Sequence, residues 1–277
     1  NINDRIVAST FFGLAIGITA LAVVARILMD LNLFKTQTGL LIIAAAMIVD
    51  VLGWIVFSVI LSLSESGSGG LGVWPTIGLT LAFTLIMLTI GKGLINKTLP
   101  WVNKKMAWPG GLLSLSLAIC FLAASFTEFI GIHAIFGAFI IGVALGDSEY
   151  LTEKAKEILH QFINNIFAPI FFVSIGLKVN FIESFDLGVT GVIVIVGLLT
   201  KYYGAYFGSR LAQVPRRESI IVGFGLSTRG SMDIILGLIA LESGLVSDSL
   251  FIGLVILALV SSIASGPLMG WAGRLKI

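Results

Sequence analysis

The sequence predicts an all-α polytopic membrane protein with about nine transmembrane helices. Of its 277 residues, 57% are hydrophobic and only 12% are charged, whereas a soluble domain usually carries about 25% charged residues. Apolar windows of about 20 residues, long enough to cross roughly 30 Å of hydrocarbon, recur along the chain. The 32 glycines fit helices that pack closely in lipid, and a single cysteine excludes an intrachain disulfide framework.

The apolar windows succeed one another with short polar connections between them. They cover residues 7–29, 39–61, 74–95, 110–126, 130–145, 162–177, 187–212, 219–241 and 250–271. The connection "SEYLTEKAKEILHQF" has charged side chains on one helical face and apolar side chains on the other, so we expect a linker helix along the membrane interface. The stretch "SLSESGSGGLG", residues 62–72, predicts a flexible external loop.

Basic residues are concentrated in alternate connections, as expected for the cytoplasmic side. One set of connections contains Lys35, Lys97, Lys104, Lys105, Lys154, Lys156, Arg210, Arg216, Arg217, Arg274 and Lys276, whereas the opposite set contains only Arg5 and Lys178. This asymmetry predicts a cytoplasmic C-terminus and an external start. An external start without a signal sequence leads us to expect further spans before residue 1 and location in the plasma (inner) membrane.

Several ionisable residues interrupt the predicted spans. They are Arg26, Asp50, Lys92, Lys201, Arg229 and Asp233. Arg26 and Lys92 stand close enough to the cytoplasmic ends to extend their charges into the interface. A carboxylate at mid-bilayer costs roughly 2.5 to 3.5 kcal/mol on insertion scales, so Asp50 in "AAAMIVDVLGWIVF" calls for a functional explanation. Such groups usually face a wet cavity and mark an ion or proton path.

Two of the spans are predicted to be discontinuous. "GLAIGITALAVVA" and "VGFGLSTRGSMD" each combine glycines with Thr or Ser near mid-span, where a helix can unwind and expose carbonyls to an ion. The first two spans enter from outside and the last two from inside, which predicts inverted repeats with two discontinuous crossing helices. Thr19 is either a cation ligand or bonded to its own helix. Ser227 and Thr228 are expected to satisfy freed backbone groups.

These segments resemble the monovalent cation/proton antiporter superfamily, in the branch of bacterial sodium/proton and potassium/proton antiporters and plant cation/proton exchangers. Five stretches carry the resemblance in the family's order: "ITALAVVARILMDLNLFKTQTG", "AAAMIVDVLGW", "FFVSIGLKVNF", "LLTKYYGAYFGSRL" and "GLSTRGSMDIILGLIAL". The resemblance implies exchange of Na⁺ or K⁺ for H⁺ by alternating access, in service of pH homeostasis. It also implies that Asp50 binds the cation and the proton in competition.

The family usually has a polar residue before the essential aspartate, and here Val49 occupies that position. In many electrogenic relatives the missing carboxylate partners the lysine equivalent to Lys201, so this lysine is expected to approach Asp50 or to be partly deprotonated. One titratable carboxylate favours electroneutral exchange. Arg229 and Asp233, four residues apart, could pair locally or brace the crossing helices. Direct ion ligation by Asp233 is the alternative.

The resemblance also implies a division of the chain. Residues 1–61 would form the first part of the ion-transporting core and residues 181–277 the second part. Residues 62–108 would connect them to a middle bundle, residues 109–180, that supplies a homodimer interface. No cofactor and no nucleic-acid partner are expected, and the transported ions and the bilayer are the partners.

Three other functions remain open from the residues alone. A sodium-coupled organic-anion symporter could share the inverted-repeat plan, but no donor set for an anion is evident. An intramembrane aspartyl protease would need a second carboxylate, for which Asp147 in "ALGD" is the candidate, although it opens a charged connection. A channel is the third alternative, and a saturable, proton-coupled flux would exclude it.

Overall fold

The computed structural model describes residues 2–65 and 73–274, and these residues form α-helices with short π-helical turns and no strand. The helices are α1 (Ile2–Gly17), α2 (Leu21–Asp30), α3 (Gln37–Glu65), α4 (Val73–Ile86), α5 (Lys92–Lys105), α6 (Gly110–Phe129), α7 (Ala134–Gly146), α8 (Glu153–Phe162), α9 (Ala168–Lys178), α10 (Leu187–Leu211), α11 (Arg216–Leu226), α12 (Ser231–Glu242) and α13 (Asp248–Arg274). The predicted all-α membrane protein is therefore confirmed.

The number of spans is lower than predicted when helix length is the criterion. Within the described residues, six helices are long and apolar enough to cross a membrane, or seven if the bent pair α11 and α12 is one span. Two further predicted spans correspond to shorter apolar helices, Val7–Gly17 and Ala134–Gly146. The predicted count of nine is thus not confirmed, because a break or a tight turn shortens these helices below membrane-crossing length.

Both predicted helix breaks are present. The first break, residues 18–20, separates α1 from α2, and the second break, residues 227–230, separates α11 from α12, which are bent by 46°. At the second break Gly230 is fully extended, with φ −165° and ψ −159°. Glycine has low helix propensity, and Gly17 precedes the first break while Gly230 ends the second, so the helix is intrinsically weak at both places.

The predicted interfacial linker helix differs from the observed structure. The segment continues without interruption into the sixth predicted span, so that Glu153–Lys178 is one helix. No glycine or proline stands between Glu153 and Phe167 to end the helix. The π-helical turn Ile163–Phe167 precedes Pro169, whose ring would clash with a carbonyl in a regular α-helix, and the wider turn accommodates it.

Two compact units make up the chain. Unit 1 comprises residues 1–57 and 179–277, and unit 2 comprises residues 58–178. In unit 1, one apolar cluster joins α2, α3, α11 and α13 through Val24, Leu28, Ile42, Ala46, Ile221, Val222, Met269 and Ala272. In unit 2, a second cluster joins α5, α6 and α7 to the start of α8. Residues 66–72 of the predicted external loop lie outside the described residues, as does Lys276 at the C-terminus.

Close helix contacts in unit 1 depend on glycines facing large side chains. A Cβ atom on Gly197 of α10 would lie 2.6 Å from Leu257 of α13, and one on Gly253 of α13 would lie 2.6 Å from Ile193 of α10. Both pairs join the same two helices, so each helix supplies one glycine and receives one side chain. This reciprocal packing fixes α10, which carries Lys201, against α13.

Candidate functional site

Asp50 lies on the buried face of α3. Buried positions 42, 46, 50, 53 and 57 recur at three- or four-residue spacing, so they share one side of the helix. Asp50 is 8% exposed, and its Oδ1 atom has no hydrogen-bond partner among the described residues. A buried carboxylate oxygen without a partner is energetically costly, which makes this atom the clearest place for a proton or a cation.

The first break passes beside the Asp50 helix. Gly53, one turn after Asp50, is so close that a Cβ atom there would lie 3.0 Å from Cγ1 of Ile18. The lack of a side chain at Gly53 therefore lets the Ile18 side chain pack closely against α3. Next to Ile18, Thr19 is fully buried.

The two breaks contact each other through hydrogen bonds. Thr19 Oγ1 donates to the Leu226 carbonyl at 2.7 Å, and the Ala20 N–H donates to the Thr228 carbonyl at 2.9 Å. These carbonyls lie at the end of α11, where a helix leaves acceptors without internal partners. Thr19 was expected either to bind a cation or to bond its own helix, and its hydroxyl bonds the end of α11 rather than its own helix. Its oxygen keeps lone pairs that could still face a cation.

Arg229, in the second break, donates hydrogen bonds to the end of α1. Its Nη1 atom donates to the Ala15 carbonyl and its Nη2 atom donates to the Ile16 carbonyl, both at 2.5 Å. Lys201 of α10 donates through Nζ to the Gly17 carbonyl. The final three carbonyls of α1 are therefore all paired with cationic side chains. Positive charge at a helix C-terminus also interacts favourably with the helix dipole.

Asp233 neutralises part of this charge. It pairs with Arg229 at 3.0 Å, and the two side chains are 4% and 1% exposed, respectively. Its other oxygen accepts from the N–H of Gly230 at 2.9 Å, in the first turn of α12. Asp233 thus caps a helix N-terminus while it balances a buried guanidinium, which is the pairing that a buried charge requires.

Lys201 was expected either to approach Asp50 or to be partly deprotonated, and in the described residues it forms no ion pair with Asp50. Its ammonium bonds the Gly17 carbonyl instead. Lys201 and Asp233 nevertheless lie within electrostatic range of Asp50, and Arg229 lies within range of Lys201. The site therefore contains two carboxylates and two cations, and in the part of the chain that the structure describes only Arg229 and Asp233 of these four are directly paired.

The other predicted support residues also lie at the second break. Ser227 donates to the Gly223 carbonyl of its own helix at 2.7 Å. Thr228 is fully buried, and its hydroxyl has no hydrogen-bond partner among the described residues. Ser262 of α13, absent from the predicted site, donates to the Arg229 carbonyl. The run of small polar residues "SSIAS" in the last span was the available signal for it.

The remaining ionisable residues of the spans are elsewhere. Asp147, the candidate second protease carboxylate, is in unit 2 and pairs with Lys92 at 2.5 Å, with 69% of its side chain exposed. Arg26 pairs with Asp30 at 3.3 Å on an exposed helix face. Across the described residues, no three His, Cys, Asp or Glu side chains come together as a metal site.

Comparison with known proteins gives a match over nearly the whole chain. A family model described as "Sodium/hydrogen exchanger, transmembrane" matches residues 3–272. The chain is 31% identical to the Na(+)/H(+) antiporter NhaS4 of Synechocystis sp. over 268 residues. The aligned region covers 94% of this chain and 64% of that protein.

Two eukaryotic relatives give similar matches. The Cation/H(+) antiporter 17 of Arabidopsis thaliana is 32% identical over 269 residues, covering 94% of this chain and 32% of that protein. The K(+)/H(+) antiporter 1 of Saccharomyces cerevisiae is 30% identical over 263 residues, covering 93% of this chain and 30% of that protein. The chain therefore spans less than two thirds of the length of each of these three relatives, and all three are named as transporters rather than enzymes.

Proposed function

This chain belongs to the transmembrane sodium/hydrogen exchanger family, and on that premise we propose that it exchanges a monovalent cation, Na⁺ or K⁺, for H⁺ by alternating access. The observation that carries the proposal is Asp50, a buried carboxylate whose Oδ1 has no hydrogen-bond partner among the described residues. The relatives named as Na(+)/H(+) and K(+)/H(+) antiporters support both cations as candidates. The symporter and protease alternatives gain no support from these names.

Asp50 supplies the competition that antiport needs. Burial disfavours a bare carboxylate, so the group is stabilised by either a proton or a cation. A bound proton or cation neutralises the carboxylate and lets the site move past an apolar barrier, whereas moving the unpaired negative charge past that barrier would be energetically costly. Because the same oxygens serve both passengers, binding of one displaces the other. That displacement couples the two ion flows and prevents a leak.

The charges at the two breaks hold the transport site in shape. Lys201 and Arg229 pair with the last carbonyls of α1, so these carbonyls are stabilised without a bound ion. Asp233 balances Arg229 and caps α12. We assign all three to electrostatic support and assign ion binding to Asp50, with the Thr19 oxygen as a further ligand.

Thr228 joins Thr19 as a candidate hydroxyl ligand. Its Oγ1 is buried at the second break and has no partner in the described part of the chain. A buried hydroxyl without a partner is costly, and a dehydrated cation is one group that would satisfy it. Ser227, whose hydroxyl already donates to a carbonyl, serves the backbone instead.

The exchange is electroneutral in this proposal. Val49 precedes Asp50, and Asp50 is the one carboxylate between residues 37 and 64 of α3, so one proton can be traded for one cation. Lys201 bonds the Gly17 carbonyl rather than a carboxylate in the described residues, and we assign it no proton in the exchange. The reciprocal hydrogen bonds between the breaks support the inverted-repeat arrangement.

The remaining expectations concern the whole protein in its membrane. We propose a plasma-membrane location with a cytoplasmic C-terminus, from the distribution of Lys and Arg. Residues 1–61 and 181–277 would move as the ion-transporting core. Residues 109–180, connected through residues 62–108, would provide the homodimer interface. A role in pH homeostasis follows from exchanging protons for a monovalent cation.

Transport in proteoliposomes tests the proposal. We would impose a pH gradient on vesicles carrying the full-length protein and record its collapse after adding Na⁺, K⁺ or choline. Collapse with Na⁺ or K⁺ but not with choline supports cation/proton exchange. Clamping the membrane potential at zero should leave the sodium-driven rate unchanged if exchange is one for one. No cation-dependent collapse, or collapse only when an organic anion is present, would refute the proposal and favour the symporter.

A further inference from the structure

A cavity of about 340 Å³ lies inside unit 2, between α6, α7 and α8. Its walls are mainly apolar and include Leu117, Ile141 and Leu145. Two basic side chains, Lys156 and His160, also line it. The transport site described above is in unit 1 and uses none of these residues. The cavity therefore combines an apolar interior with a local group of polar donors.

Lys156 and His160 are four residues apart on α8, so they lie on the same helix face. Lys156 pairs with Glu153 at 2.9 Å, with side chains 43% and 89% exposed, respectively. Such an exposed pair contributes little, and the ammonium retains further hydrogens to donate. A negatively charged group in the cavity can therefore compete with Glu153 for Lys156.

His160 offers a second donor to the same cavity. The amide nitrogen of Asn164 lies 2.8 Å from Nε2 of His160. An amide nitrogen only donates, so this contact assigns Nε2 as the acceptor and corresponds to the neutral tautomer with its hydrogen on Nδ1. The His160 ring thus keeps an N–H available. An ammonium and an imidazole N–H together suit a phosphate group.

From this geometry we infer that the cavity binds an anionic phospholipid, with its phosphate at Lys156 and His160 and an acyl chain along the apolar wall. A free anion would use the two donors but leave the wall without a partner, whereas an uncharged lipid would leave the donors without one. The volume lies at the lower end of the range for small-molecule sites. The distribution of Lys and Arg predicts that the start of α8 lies on the cytoplasmic side, where negatively charged lipids attract basic segments.

The single cysteine of the chain provides the measurement, because Cys120 also lines the cavity. We would place the full-length protein in nanodiscs of phosphatidylcholine, with or without phosphatidylglycerol, and follow the reaction of Cys120 with N-ethylmaleimide by mass spectrometry of the peptide that contains Cys120. Phosphatidylglycerol at about twice its dissociation constant should slow the reaction roughly threefold. Cys120→Ser must abolish labelling at this position.

Two charge-removing variants separate a site from a general surface effect. Lys156→Gln removes a donor from the cavity wall. Lys154→Gln also removes one positive charge, but the side chain of Lys154, two residues earlier on α8, does not line the cavity. Protection by phosphatidylglycerol should disappear in Lys156→Gln and persist in Lys154→Gln. Retention of phosphatidylglycerol in native mass spectra should follow the same order.

Three results would overturn the assignment. The first is an equal labelling rate in the two lipid mixtures. The second is protection that survives Lys156→Gln, since a headgroup bound elsewhere would explain it. The third is equal protection by inorganic phosphate in phosphatidylcholine discs, which would identify a site for a free anion instead of a lipid.

Discussion

Replacing Arg229 by methionine should destabilise the protein strongly, because three acceptors depend on this one guanidinium. Arg229→Met removes a 3.0 Å ion pair with Asp233 and two 2.5 Å hydrogen bonds to the carbonyls of Ala15 and Ile16. Breaking a buried pair by removing one partner costs about 3–5 kcal/mol, since the other charge stays buried. We expect a loss in this range in the free energy of unfolding.

A double-mutant cycle measures how much of the loss comes from the stranded carboxylate. Asp233→Asn keeps an acceptor for the Gly230 N–H but removes the charge that Arg229 neutralises. The free energy of unfolding that the double variant Arg229→Met with Asp233→Asn loses should therefore be smaller than the sum of the two single-variant losses, by about 1–3 kcal/mol. The assay is equilibrium unfolding in mixed micelles, with helicity as the signal.

Arg26→Met is the matched control for this cycle. Arg26 also pairs with an aspartate four residues later, but at 3.3 Å and with the two side chains 75% and 63% exposed. Exposed pairs contribute about 0–1 kcal/mol, so this variant should remain close to wild type. The reasoning is refuted if Arg229→Met costs no more than Arg26→Met, or if the double variant shows strictly additive losses.

Three further substitutions, each with a control variant, test the contacts around the breaks. Gly230→Val should lower stability by about 1–3 kcal/mol, because a Cβ atom there would lie 2.8 Å from Ala20. Gly204→Ala is its control, because a Cβ atom at Gly204 would have no neighbouring atom within 4 Å, and this variant should be neutral or slightly stabilising in a thermal scan. Thr19→Val should cost about 1 kcal/mol or more and slow exchange, because a buried carbonyl loses its donor, whereas Thr19→Ser should retain both stability and rate. Lys201→Met should cost about 1–3 kcal/mol of stability, because the Gly17 carbonyl at the end of α1 loses its donor. Lys201→Arg should recover part of that stability, and equal unfolding curves for the two variants would contradict the capping role.

Local signals in the sequence predicted the all-α class and both helix breaks, but not the number of spans. Apolar windows indicated the membrane-associated helices, and glycines near Thr19 and near Ser227 and Thr228 marked the places where two helices stop. These signals depend on the backbone and on nearest neighbours along the chain. The buried position of Asp50 was predicted in the same way, from one carboxylate within an apolar helix.

Contacts between distant segments could not be predicted from these signals. Lys201 and the Gly17 carbonyl are 184 residues apart, and Arg229 and the Ala15 carbonyl are 214 residues apart. Backbone carbonyls carry no residue-specific signal, so no pattern indicates which of them a lysine will reach. The continuous helix Glu153–Lys178 was missed for a different reason, because its first half is charged and its second half apolar. An abrupt change of composition suggested two elements where the backbone forms one.

The measurement that tests the central claim most directly is cation-driven proton flux for two aspartate variants. Asp50→Asn removes the buried carboxylate, whereas Asp147→Asn makes the same change at a side chain that is 69% exposed and paired with Lys92. In proteoliposomes with an imposed pH gradient, Asp50→Asn should abolish the collapse that Na⁺ or K⁺ drives, and Asp147→Asn should retain it. Exchange at the wild-type rate in Asp50→Asn would contradict the account and make Asp233 the next carboxylate to test.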